Sequence, residues 1–223
     1  MIDDYDLRLV EDELAPGARI AVPALAGFRV TYVAEGRAEV APAGGAGREE
    51  LEENTARFGA EACAVKAGAG GATLWRWEMV RGDGGRRAEG EEASCLLKAS
   101  HDLELDPGQE WMMRCDRVDF PPGGIAYTHV HSGPGLRCLL RGELTVRVED
   151  GQEWMVRPGE TWFERGPDPI YARASDEPTS FVRAMVVPRA YKGRTTITYV
   201  KAEDADKPKP QQYTRFVDEF IDP

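Results

Sequence analysis

Apolar residues in this chain come in short bursts with a period of two, and turns rich in glycine and proline cut each burst off. Trp75 and Trp77 alternate with Arg76 and Glu78, so both indoles fall on one strand face. Helix-period patterning is scarce until the C-terminus, where Tyr213, Phe216, Val217 and Phe220 recur at helical spacing behind an extended Lys207-Pro-Lys-Pro210. The pattern predicts an all-β sandwich or barrel with a short C-terminal helix docked on it.

The pattern also repeats. Leu7 to Val40 lines up without gaps on Met113 to Val146 at an offset of 106, matching Arg8, Pro16, Gly17, Gly27, Gly36 and Val40 to Arg114, Pro122, Gly123, Gly133, Gly142 and Val146. Most of these matches fall where a turn needs glycine or proline. After a short insertion the offset returns, with Thr73, Met79 and Val80 meeting Thr179, Met185 and Val186. Two tandem domains of one topology follow. Arg81 to Ala93, polar and glycine-rich, reads as the linker. The expected division is residues 1–93, residues 94–202 and a tail, 203–223, carrying the helix.

Composition narrows the partners. The formal net charge of −11, from 28 Lys and Arg against 39 Asp and Glu, would repel phosphate backbones and anionic lipid, which argues against nucleic acid and membrane surfaces. No apolar run approaches the ~18 residues of a membrane helix. The acidic start, MIDDYDLRLV, lacks the features of a secretory signal, so a cytoplasmic protein is expected. Cys63, Cys95, Cys115 and Cys138 are widely spaced among apolar neighbours and read as small buried hydrophobes.

Candidate chemistry gathers in Pro121 to Gly142, PPGGIAYTHVHSGPGLRCLLRG. It reads as a hairpin whose incoming strand carries Tyr127, His129 and His131 on one face. Gly123, five residues, His129-Val130-His131 and the closing Gly142 resemble the first motif of the cupin superfamily. Arg157-Pro158-Gly159-Glu160 through Phe163 resembles its second. The resemblance implies two tandem cupin jelly-roll barrels and an inward-facing Gly135, Arg137 and Leu139. The family's glutamate would fall at Gly135 or Leu136 and its third histidine near Ile170, so only two of four usual metal ligands are present. In the first copy Pro23 and Leu25 replace the histidines, which leaves that barrel without metal ligands and structural.

Three functional readings remain, the blandest being a storage-type or interaction protein whose histidines are satisfied core residues, although two imidazoles beside an arginine are costly to bury without polar partners. In the first, a barrel mouth of Tyr127, His129, His131 and Arg137, bordered by Arg114 and Asp116, binds a small anionic molecule. In the second, the chain is a metal-dependent oxygenase, isomerase or lyase whose His129 and His131 hold Fe, Ni, Zn, Cu or Mn. A third ligand would then come from Tyr127, Asp116, Glu160 or Glu164, and an inward Arg137 would oppose the dication. Without metal, His129 or His131 would serve as general base and Tyr127 as general acid. The chain is expected as a monomer built as a pseudo-dimer, or as a homodimer.

Overall fold

The computed structural model describes residues 3–45, 47–81 and 88–223, and these divide into two compact units between Gly108 and Gln109. The architecture is all-β, with two 3-10 turns the only helical segments among the described residues.

The first unit is one antiparallel sheet of long strands: β1 (Asp3–Val22), β2 (Gly27–Pro42), β3 (Glu49–Glu52), β4 (Ala56–Phe58), β5 (Cys63–Arg81) and β6 (Glu89–Leu105). Their order is β3-β2-β5-β1-β6, with β4 also paired to β2. The division at residue 93 expected from sequence is therefore corrected. From Glu89 onward the chain pairs with β1, Leu14 opposite Ala93 and Asp3 opposite Leu105, so fifteen paired positions commit this strand to the first unit. Of the expected linker, residues 82–87 lie outside the described residues. Leu14, Ile20, Val22, Val33, Val40, Leu51, Val65 and Leu74 form a buried apolar cluster in this unit.

A charged network is buried in the same unit. Arg76 makes a bidentate pair with Asp12, Nε to Oδ2 at 2.5 Å and Nη2 to Oδ1 at 2.9 Å. Glu78 accepts from Arg8, Arg29 and Arg76. Arg29 also donates to the carbonyls of Pro23 and Glu61. Each nitrogen of Arg29 thus has an acceptor, which is what allows a guanidinium to be buried at 1% exposure.

The second unit has two five-stranded antiparallel sheets. One holds β8 (Ile125–His131), β10 (Leu144–Val148), β11 (Glu153–Val156), β13 (Ile170–Ala174) and β15 (Ile197–Tyr199), in the order β11-β10-β13-β8-β15. The other holds β7 (Trp111–Phe120), β9 (Gly135–Arg141), β12 (Thr161–Glu164), β14 (Thr179–Pro188) and β16 (Gln212–Ile221), in the order β12-β9-β14-β7-β16. Both sheets contribute to one core: Ala126, Leu144, Val146 and Ile170 from the first meet Val118, Leu139, Trp162 and Phe181 from the second. A sandwich of this kind needs alternate residues pointing inward, which is the period-two pattern of the sequence.

The repeat has a structural counterpart. At the offset of 106, three of the four long strands of the first unit each cover two strands of the second: β1 covers β7 and β8, β2 covers β9 and β10, and β5 covers β13 and β14. The first two of these breaks fall at matched glycines. Gly17 and Gly123 have φ of +74° and +67°, Gly36 and Gly142 of +77° and +75°, a region open to glycine at little cost.

The C-terminal helix expected from the spacing of Tyr213, Phe216, Val217 and Phe220 is not formed. These residues lie on β16, which pairs with β7 from Gln212 opposite Asp119 to Ile221 opposite Trp111. The register shifts between Arg215 and Val217, where Phe216 is the extra residue. The four residues share no face: Tyr213 and Phe220 stand opposite Val118 and Met112, Val217 stands opposite Cys115 on the other face, and Phe216 is the bulged residue, so the helical spacing marks no common surface.

Candidate functional site

At one end of the second unit's core, polar side chains replace apolar ones. His129 and His131 come from β8, Arg137 from β9, Glu164 from β12 and Arg183 from β14. With Ile197 of β15 and Tyr213 of β16 they line a cavity of about 20 Å³ whose other walls are apolar, among them Val118, Phe120 and Trp162. That is room for about one water molecule.

Strand pairing explains how these residues converge. Arg137 lies directly opposite Arg183 on β14 and Trp162 on β12. Glu164 is opposite Gly135, so a carboxylate reaches from the neighbouring strand toward the position where the motif lacks its own. A Cβ on Gly135 would sit 3.0 Å from Arg137 Nη1 and 2.8 Å from Met185 Cγ. Glycine there lets Arg137 fold back and donate from Nη1 to the Gly135 carbonyl at 2.5 Å. Ile170, where a third histidine was sought, pairs with His129 and is buried among apolar neighbours.

The geometry assigns protons to the histidines. His129 Nδ1 lies 2.7 Å from the Tyr127 carbonyl oxygen, which only accepts, so Nδ1 carries the proton and Nε2 a lone pair. His131 Nε2 is 3.2 Å from that lone pair and therefore donates to it. His131 Nδ1 is then a buried acceptor with no hydrogen-bond partner. Both rings are neutral: burial pulls His129 below its ordinary range and His131 down to about 3, against the opposing charge of Glu164.

Arg137 and Glu164 are the charged centre of the site. Glu164 Oε1 accepts from Trp162 Nε1 at 2.8 Å. Oε2 lies 2.5 Å from Arg137 Nη2 and 3.2 Å from His131 Nε2, yet no N–H points along either line, and Oε2 accepts no hydrogen bond. Arg137 Nε and Nη2 likewise donate to nothing. Burial alone would raise Glu164, but the Arg137 guanidinium outweighs it and holds the carboxylate below its usual range. Burial lowers Arg137 to about 10 despite Glu164, so the two remain oppositely charged at neutral pH. Arg183 is matched in line by Asp116, Nε to Oδ1 at 2.6 Å, and that carboxylate outweighs burial and raises it.

Not every residue singled out in the sequence reaches this place. Tyr127 does not share the histidine face. On β13, Ile170 faces His129 and Ala172 faces Ala126, a step of two against a step of three. This bulge turns Ala126 inward and Tyr127 away, where the Lys207 ammonium stands 4.8 Å from its ring. The expected role of Tyr127 as general acid or ligand wall is therefore withdrawn. Arg114 is buried but engaged elsewhere, by Asp218 at 2.8 Å and by the carbonyls of Tyr191 and Arg194. Asp116 reaches the site only through Arg183. Glu160 accepts from the backbone N–H of Arg157 in a turn, away from the cavity. Arg183 and Tyr213 were missed: their place depends on pairing across long sequence separations.

A resident metal is implied by the motif, and the residues present do not fit one. Metal-bound histidines donate their second ring N–H to an acceptor. His129 does so, but His131 Nδ1 has none. The carboxylate within reach, Glu164, has a guanidinium 2.5 Å from it. Among the described residues no group of three His, Cys, Asp or Glu side chains is arranged to hold a metal ion.

Comparison of the structure with solved structures places this architecture. An oxalate decarboxylase from Lactobacillus farciminis, in a formate complex, superimposes with a TM-score of 0.65 at 12% identity, over 91% of this chain and 82% of its own. Procruciferin, an 11S globulin from Brassica napus, gives 0.61 at 8% identity, over 87% and 88%. The chain has the cupin fold. AerE from Microcystis aeruginosa shares it at 11% identity, with a TM-score of 0.58 over 83% of this chain and 88% of its own. No protein-family model matches the sequence, and no curated protein does. At these identities the likeness concerns fold, and a cupin barrel serves an enzyme and a globulin equally well. None of the helices described is long and apolar enough to cross a membrane.

Proposed function

We propose that this cupin binds a small anionic molecule in its second unit, with Arg137 as the primary contact and His129 and His131 as neutral hydrogen-bonding groups. The observation that carries the reading is the state of Arg137. It is fully buried, and its Nε and Nη2, the edge of a guanidinium suited to a bidentate oxyanion, donate no hydrogen bond. Burying donors without acceptors costs about 1–3 kcal/mol each, and an anion's oxygens supply the acceptors.

Calorimetric titration of the full chain with acetate, bicarbonate and phosphate tests this. Binding of at least one is expected, and it should vanish in an Arg137→Gln, Glu164→Gln double variant that leaves no charge unpaired. If none binds, or if the double variant binds equally well, the reading fails. Elemental analysis of untagged protein addresses the metal alternative. Metal well below one equivalent is expected. A full equivalent, lost in a folded His129→Ala, His131→Ala variant, would restore a metal-dependent oxygenase, isomerase or lyase.

A further inference from the structure

The anion reading meets a difficulty in the site itself, and the way out of it defines the ligand more closely. Arg137, the cation that an anion needs, already has the Glu164 carboxylate 2.5 Å away. The second guanidinium, Arg183, is matched in line by Asp116. His129 and His131 are neutral. The site is therefore balanced in charge before anything enters, and a plain anion on the open edge of Arg137 would bring its oxygens against Glu164 Oε2 with no proton between them. Two like charges at that range in a buried place repel strongly.

The unmatched atoms show what would relieve this. Arg137 offers two donors, Nε and Nη2, and Glu164 Oε2 offers one acceptor that no N–H addresses. The other oxygen of Glu164 is fixed by Trp162, and the remaining Arg137 nitrogen by the Gly135 carbonyl. Each side chain is thus tethered through one atom and leaves the others unmatched. A ligand complementary to this pair carries an oxyanion for Arg137 and, beside it, an O–H for Glu164. The cavity of about 20 Å³ holds about one water as it stands, so the ligand must be small and its entry must widen the cavity.

Building on the anion reading, we propose that the ligand is a small hydroxy acid or hydrogen-carbonate-like anion, in which one O–H donor next to the anionic group is required and is read by Glu164. Entry parts Arg137 from Glu164 and gives each an in-line partner. The adaptable wall is β15, three residues long and held by pairing with β8 alone.

Matched pairs of probes test the requirement for the donor: glycolate against acetate, and bicarbonate against nitrate, titrated calorimetrically into the full chain. Glycolate and bicarbonate are expected to bind about tenfold or more tighter than their partners, the usual scale for one hydrogen bond to a buried charge. In a Glu164→Gln variant, whose amide donates, the preference should vanish or invert in favour of acetate and nitrate. Equal binding within each wild-type pair overturns the proposal and leaves the anion reading intact. Binding of no probe at all, with a single water satisfying these atoms, overturns both. The wild-type ratio needs no variant, so a Glu164→Gln protein that fails to fold does not rescue the idea.

Discussion

Arg137 and Glu164 illustrate how unlike a buried pair is to a surface one. Removing one member leaves the other charged and unsolvated, so Arg137→Met alone is expected to cost about 3–5 kcal/mol of stability. Arg137→Met with Glu164→Gln should cost clearly less than the single change, and a double-mutant cycle in urea would show it. The histidines make a separate contribution through pH. His129 and His131 have folded pKa values below the ordinary 6.5, His131 at about 3. The unfolded chain therefore takes up protons that the folded chain refuses, and their contribution is present above pH 6.5 and lost as pH falls toward 3. Glu164, depressed by Arg137, adds stability above the ordinary carboxylate range that is lost below it. Urea midpoints measured from pH 7 down to pH 4 should fall, and more shallowly in His131→Gln, which cannot titrate. An unchanged slope would contradict neutral burial of that ring.

Elements were more legible in the sequence than their faces. The inward His129, His131 and Arg137 and the duplicated plan with its matched glycines follow from alternation and turn chemistry, whereas β8 and β9, expected as a hairpin, do not pair: the turn between them carries the chain from one sheet to the other. Two elements went astray for one reason. In β8 the bulge between Ala126 and His129 reversed the face of Tyr127, and in β16 the bulge at Phe216 switches the faces of the residues on either side of it. A bulge depends on what the partner strand offers, and no local pattern announces it. The same holds for Glu164, one of four acidic or phenolic candidates until its pairing with Gly135 is known. Backbone stability should also differ by element. All residues of β14 but Pro188 are buried, and it is paired on both sides, by β7 and β9. By contrast β15 has three residues and one ladder. Hydrogen exchange should therefore be faster in Ile197–Tyr199 than in Thr179–Pro188; comparable protection would argue against β15 as the adaptable wall.

On the scale of the whole molecule, two copies of one plan have taken different courses. The first unit holds its buried charge in Asp12, Arg76, Glu78 and Arg29, with in-line partners throughout. Asp12→Ala is expected to destabilise the chain by about 3–5 kcal/mol, since it strands the Arg76 guanidinium, while anion affinity measured below the unfolding range stays as in the parent. A loss of affinity in that variant would mean that the first unit takes part in binding.

The fold-back of Arg137 onto the Gly135 carbonyl carries a consequence for the energy landscape. Natural sequences tend to be minimally frustrated, each contact favouring the same arrangement as its neighbours. Here the chain satisfies one nitrogen of a guanidinium at the expense of the other two, because a glycine two residues back permits it. The second unit thus carries a point of local frustration inside an otherwise consistent core, one that the proposed ligand would resolve. Filling that point with a side chain, as Gly135→Ser would begin to do, trades a receptive barrel for a quieter one.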